Sequence, residues 1–302
     1  MMSPRSSSSR CNQRPSRWLL CIAALLLALS SACERDEEEA PEEVEPVGTG
    51  RLEVRALYSY NGPEADGVRF TVEREGERAE GPTRRSGFDL EAGTYEVIAS
   101  LGQAQGSAEA EIRADERTDL DVVLDAGVLE LSALLAEEGP EAPGPRYRIL
   151  SSETDIRGEH ETIDGPTRRT SFVLPAGSYL AQAQDGQAEV QEEIEIEAGE
   201  RTETAIILDA GIVAAEAEEA DGSEVAETVR WQLLSVEEDI RGERETIVGP
   251  TRSDQFVLPS GEYLLQARVG DRVAQEKIEV EAGARIETKI TLPDAEEAVG
   301  QD

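Results

Sequence analysis

Phe172-Val-Leu-Pro-Ala-Gly-Ser-Tyr179 is the stretch on which the reading of this chain turns. It recurs as Phe88-Asp-Leu-Glu-Ala-Gly-Thr-Tyr95 and as Phe256-Val-Leu-Pro-Ser-Gly-Glu-Tyr263. In a strand, residues two apart share a face, so Phe and Leu point one way together. The small residue and the Gly then interrupt the strand, because Gly reaches turn conformations closed to other residues. Tyr opens the return strand. The segment therefore predicts strand, tight turn, strand, with Phe, Leu and Tyr turned inward.

The flanks of the middle copy read the same way. Asp185-Gly186 is a hairpin signal. Val190, Ile194 and Ile196 alternate with acids, the period of a half-buried strand. Ala198-Gly199-Glu200 turns into a last strand over Thr202–Leu208. Upstream, the apolar run Val128–Leu135 ends in a Gly/Pro cluster, and Arg146–Leu150 is a second strand. A charged loop is expected from about Thr154 to Arg169. Six or seven short strands with regular turns and no helical pattern outside the N-terminus predict an antiparallel β-sandwich.

The unit occurs three times, opened by Gly50, Gly127 and Gly211. The second and third align without a gap: Tyr147 with Trp231, Phe172 with Phe256, Tyr179 with Tyr263, Leu208 with Leu292. Phe70, Phe88, Tyr95 and Leu124 take these places in the shorter first unit. Each of Phe70, Tyr147 and Trp231 follows an Arg, so alternation sends the aromatic inward and the Arg outward. The expected organisation is a signal over residues 1–32 and an acidic disordered tether over 33–49. Three β-sandwich repeats follow over 50–126, 127–210 and 211–295, with a disordered tail over 296–302.

The F-x-L-x-[AS]-G-x-Y pattern resembles the strand–turn–strand of carboxypeptidase-regulatory-like and Cna-B-type domains, which are transthyretin-like β-sandwiches; PEGA-type repeats of bacterial surface proteins are similar. The resemblance covers Gly50 to about Ala295. It implies non-catalytic spacers, stalks or interaction modules of the cell envelope. Some Cna-B domains carry a Lys–Asn isopeptide crosslink. That is impossible within any unit here, because the first two units lack Lys and Asn61 is the only Asn after the signal.

Residues 1–32 carry Arg5, Arg10, Arg14 and Arg17, no acid, and an apolar run from Trp18 to Leu29. That run is too short for a bilayer span of about 20 residues and reads as a secretory signal. Its end, Leu29-Ser30-Ser31-Ala32-Cys33, resembles the lipobox of bacterial lipoproteins. It departs from the pattern at Ser30, where Leu is usual. Ordinary cleavage after Ala32 is the alternative. Cys11 and Cys21 leave with the signal, so Cys33 becomes the single Cys and the first residue of the remainder. Lipid on Cys33 is expected to anchor the protein to a membrane, with the outer membrane's periplasmic or surface face the expected location. The segment 34–49, ERDEEEAPEEVEPVGT, is too polar to fold and is extended by its own charge.

The chain has 302 residues, 65 Asp+Glu against 29 Lys+Arg, and a net charge of −36. A charge of that sign repels phosphates and excludes a nucleic-acid binder acting through a basic surface. It keeps the protein soluble, and a monomer is expected. A salt-rich habitat and a genome favouring Arg, Ala, Gly and Glu both account for the acidity.

Little in the sequence supports catalysis. G-x-S-x-G, H-E-x-x-H, a Cys nucleophile and a phosphate loop are all missing. His160 is the single His, and Arg244 stands at its place in the third unit. No cofactor and no catalytic residue is expected. No D-x-D-x-D-G loop suggests a calcium site, so no metal ligand is assigned. The most alike stretch of the two long units is Arg157–Arg168 against Arg241–Arg252. Arg157, Glu159, Glu161 and Arg168, with Arg241, Glu243, Glu245 and Arg252, are candidate interaction residues, since loops on rigid scaffolds carry function. A recent duplication with an ion-paired edge loop is the favoured explanation of the likeness. The functional expectation is a non-enzymatic envelope protein, a spacer or a scaffold for an envelope protein or glycan. A module binding a cation or small ligand is the alternative.

Overall fold

A computed structural model of the protein describes residues 48–294. The signal, Cys33, the tether up to residue 47 and the tail from residue 295 lie outside the described residues. Among the described residues no helix is long and apolar enough to cross a membrane.

The first module consists of β1 (Thr49–Leu57), β2 (Arg69–Arg74), β3 (Glu77–Thr83), β4 (Gly87–Glu91), β5 (Gly93–Leu101), β6 (Ala104–Ile112) and β7 (Arg117–Val123). The second has β8 (Ala126–Leu134), β9 (Arg146–Thr154), β10 (His160–Thr167), β11 (Ser171–Pro175), β12 (Gly177–Asp185), β13 (Ala188–Ile196) and β14 (Arg201–Ile207). The third has β15 (Ala210–Glu218), β16 (Arg230–Glu238), β17 (Arg244–Thr251), β18 (Gln255–Pro259), β19 (Gly261–Val269), β20 (Arg272–Val280) and β21 (Arg285–Thr291).

Each module is a β-sandwich of a three-stranded and a four-stranded sheet. The second pairs β11–β8–β14 against β10–β9–β12–β13, and the others repeat that order. All pairings are antiparallel except first against last strand: β1 with β7, β8 with β14 and β15 with β21 run parallel. Local periodicity carries no trace of that pair, whose members lie at opposite ends of a unit.

The inward residues are those the alternation selects. Phe70, Tyr147 and Trp231 are buried, while Arg69, Arg146 and Arg230 are exposed. Phe172, Leu174 and Tyr179 join Leu129, Leu131, Ile149 and Ile206 in the core of the second module. The Tyr hydroxyls stay satisfied: Tyr179 donates to the Pro175 carbonyl and Tyr263 to that of Pro259, both at 2.9 Å. Burial raises the pKa of both phenols.

The strand–turn–strand expected of the Phe–Tyr motif is present with an unexpected connection, and the expected charged loop is corrected. The strands of the Phe–Tyr motif do not pair with each other: β11 lies in one sheet and β12 in the other. The turn is a corner that carries the chain between layers, with Gly93, Gly177 and Gly261 at φ of 154°, 151° and 151°. The charged loop of Thr154–Arg169 is instead mostly a hairpin, β9 continuing to Thr154 and β10 returning from His160. β10 is an edge strand whose register against β9 shifts three times, which erases the period-2 pattern.

The modules touch through contacts that occur at both junctions. In the β5–β6 turn the Gln103 N–H donates to the Val173 carbonyl of β11 at 3.0 Å. In the β12–β13 turn Gln187 donates likewise to Val257 of β18, at 3.0 Å. The glycine before each has φ near +58° (59° at Gly102, 57° at Gly186), and a Cβ there would fall 2.7 and 2.5 Å from the same carbonyls. Gly199 abuts Ser59 and Pro63 of the preceding module, and Gly283 abuts Ala136 and Pro140.

Candidate functional site

Two of the three modules carry a long hairpin ending in the same pentapeptide, Asp155-Ile-Arg-Gly-Glu159 and Asp239-Ile-Arg-Gly-Glu243. The first module has a short Glu75-Gly76 turn there instead. Each tip is braced from within. Asp155 Oδ1 accepts the N–H groups of Arg157 (2.8 Å) and Glu159 (2.9 Å). The Asp155 N–H donates to the Glu159 carbonyl, and Gly158 donates to that of Asp155, closing the turn at 2.8 and 3.0 Å. Asp239 makes the corresponding set with Arg241, Glu243 and Gly242. Side-chain acceptance of backbone N–H groups is how Asp stabilises a turn. The bonds from Glu159 and Arg157 favour the charged carboxylate and lower the pKa of Asp155.

The brace holds one apolar side chain fully in water: Ile156 is 103% exposed and Ile240 104%. Sequence reasoning passes over both, because an apolar residue among charges breaks no visible pattern. The recoverable signal is an Ile repeated inside an otherwise charged turn.

The sequence-selected residues divide between two places. Arg157, Glu159, Arg241 and Glu243 stand at the tips, and Glu161 and Glu245 follow on the exposed faces of β10 and β17. Arg168 and Arg252 lie just beyond the far ends of these strands. Eight residues of strand span about 25 Å, so one compact patch does not contain all of them. The repeated Gly-Pro-Thr before those arginines has a structural use. A Cβ on Gly81, Gly165 or Gly249 would fall 2.3, 2.4 or 2.5 Å from the carbonyl of Phe70, Tyr147 or Trp231. The Thr hydroxyl accepts an N–H two residues on in all three units, at 3.1–3.2 Å.

His160 also finds an ordinary explanation. Its Nδ1 lies 2.8 Å from the Ser151 carbonyl, and Arg244 reaches the equivalent Ser235 carbonyl at 3.3 Å. One donor replaces another.

Arg168 instead rims an open cleft of about 830 Å³ in the second module, with Glu130, Glu141, Glu203 and Tyr147 on its walls. Behind it, the buried Asp185 accepts the Gly144 N–H at 2.8 Å. Among the described residues no group of three or more His, Cys, Asp or Glu is arranged to hold a metal ion.

No protein-family model and no curated protein sequence matches the chain. Solved structures similar to it include the Bacillus anthracis TIE protein (16% identity, TM-score 0.22), matched over 82% of this chain and 51% of that one. A streptococcal ancillary pilin matches over 81% of this chain and 99% of its own at 8% identity and TM-score 0.32. An adhesin described from Bacteroides ovatus covers 68% of this chain and 96% of its own at 11% identity and TM-score 0.31. At TM-scores this low the similarities support no inference about the role of this chain.

Proposed function

We propose that the protein is an exported, non-enzymatic scaffold of the bacterial envelope, held to a membrane by lipid on Cys33. It presents the two Asp-Ile-Arg-Gly-Glu tips to an envelope protein. The observation that carries this reading is the pair of identically braced tips with a fully exposed Ile at each. Turns ordinarily carry polar residues, and a braced apolar tip has already lost the freedom that binding would otherwise remove. Two tips on one chain add their weak affinities through effective concentration. The partner surface that fits is an apolar pit with charges of both signs at its rim, matching Asp, Arg and Glu around each Ile.

The test is crosslinking in cells, comparing the wild type, Cys33→Ala, and Ile156→Ser with Ile240→Ser. A discrete protein captured by the wild type and lost from the double Ile variant is the expected result. Equal capture by the Ile variant overturns the docking role of the tips. Release of wild-type protein into the medium overturns the anchor.

A second reading, a cation- or small-ligand-binding module, is favoured by the acid-walled cleft of the second module. Calcium raising the unfolding temperature well above NaCl of matched ionic strength would support it.

A further inference from the structure

At each junction the apolar core of one module is closed by residues of the next. Val173 and Ala126 pack against the core of the first module, and Val257, Ala210 and Ile212 against that of the second. The receiving face presents cross-strand apolar pairs, Val128 with Val173 and Ile212 with Val257. The first module has no described module before it. At the same register position it holds Arg51 opposite Asp89, and Arg51 Nη1 lies 3.1 Å from both carboxylate oxygens of Asp89.

The other end mirrors this. Leu135 and Ala188, both fully buried, line the end of the second module's core that meets the third. The aligned residues of the third module are Glu219 and Arg272, joined at 3.1 Å through Arg272 Nη2. Its turn is Gly270-Asp271, where the docked turns have Gly102-Gln103 and Gly186-Gln187, and nothing lies within 4 Å of a Cβ built on Gly270. The position of the abutting glycines Gly199 and Gly283 is filled in the first module by Asp115, at φ 60°.

We propose that the ion pairs Arg51–Asp89 and Glu219–Arg272 are end caps. They replace the apolar docking pairs at the two faces that no described module covers, so that a second copy of this chain cannot join end to end. Docking a face that carries an ion pair would strip water from both charges without adding a partner, a loss that attraction within the pair does not offset. An uncapped face would leave apolar residues open to the complementary end of the next molecule, a head-to-tail contact that does not close and so builds fibres. Repeat arrays generally need polar outer faces on their terminal units. This inference is independent of what the hairpin tips bind.

The test uses the full chain carrying Cys33→Ala, so that no lipid drives association. One variant uncaps the first module (Arg51→Val, Asp89→Val). The other uncaps the third (Glu219→Leu, Asp271→Gln, Arg272→Ala). Sedimentation in about 0.5 M NaCl screens the net repulsion between chains. Each variant alone is expected to remain a monomer, and the equimolar mixture to form heterodimers and nothing larger. No heterodimer up to a chain concentration of about 1 mM overturns the proposal, as does self-association of either variant equal to that of the mixture. A converse graft places the cap inside the array, as Val128→Arg with Val173→Asp. Hydrogen exchange at the Gln103 N–H should then quicken more than about tenfold while the β8–β14 ladder keeps its protection. Unchanged protection of Gln103 likewise overturns the proposal.

Discussion

Single residues in the Phe–Tyr motif carry both packing and hydrogen bonding. Leu174 is fully buried between the sheets of its module. Leu174→Ala leaves a cavity there and is expected to cost about 3 kcal/mol of unfolding free energy, read by urea denaturation. Tyr263→Phe keeps the ring and removes the bond to the Pro259 carbonyl, for a loss of about 1 kcal/mol by the same measurement. His160→Arg should change stability by no more than about 0.5 kcal/mol, since Arg244 already serves in that position. A larger loss would show that the imidazole does more than donate to Ser151. The Asp155 carboxylate accepts two N–H groups, so its folded pKa lies below its unfolded value. Its stabilisation of the tip is therefore complete above the ordinary aspartate range of about 4 and is lost as pH falls through the lowered value. Carboxyl-carbon NMR should find Asp155 titrating below the ordinary aspartate range.

At the scale of elements, the hairpins β9–β10 and β16–β17 hold the least legible part of the fold. Their return strands are edges, with every residue half-buried or exposed and none fully buried, and they shift register against their partners in several places. A strand of that kind is specified by its neighbour and not by alternation. Hence Glu161 and Glu245 read as loop residues in the sequence although both lie on strands, and Arg168 reads as a neighbour of residues at the other end of its hairpin. The buried strands are legible because their Phe, Leu, Ile and Val positions must face one side. Ile156→Ser with Ile240→Ser is expected to leave the unfolding temperature unchanged, because neither side chain loses contact with water on folding. A fall in that temperature would mean the tips support the fold and are not free to bind.

For the molecule as a whole, charge is the dominant influence. Acidic residues outnumber basic ones in each of the three modules, and the resulting charge opposes compaction. The arginine–acid pairs on the strands are mostly exposed, and each contributes little. Adding NaCl from about 0.05 to about 0.5 M should therefore raise the unfolding temperature through screening. No rise would show that the acids are spaced widely enough not to repel. The junctions belong to the same scale. The backbone N–H groups of Gln103 and Gln187 meet the Val173 and Val257 carbonyls of the next module, and the Gln103 side chain donates to Asp164 of that module at 3.2 Å, partners that no local pattern announces.

The sequence by itself determined the module count, the β-sandwich class, the inward faces and the acidity, because each follows from repetition, from a period of two, or from composition. Tertiary structure alone decided that the Phe–Tyr turn crosses between sheets and that first and last strands pair in parallel. It also decided that two Ile side chains stand in water, and that ion pairs stand at the ends where apolar pairs stand at the junctions. Those features depend on which distant backbone lies alongside, and a hydrogen bond or a desolvated face between residues far apart leaves no local pattern in the chain that forms it.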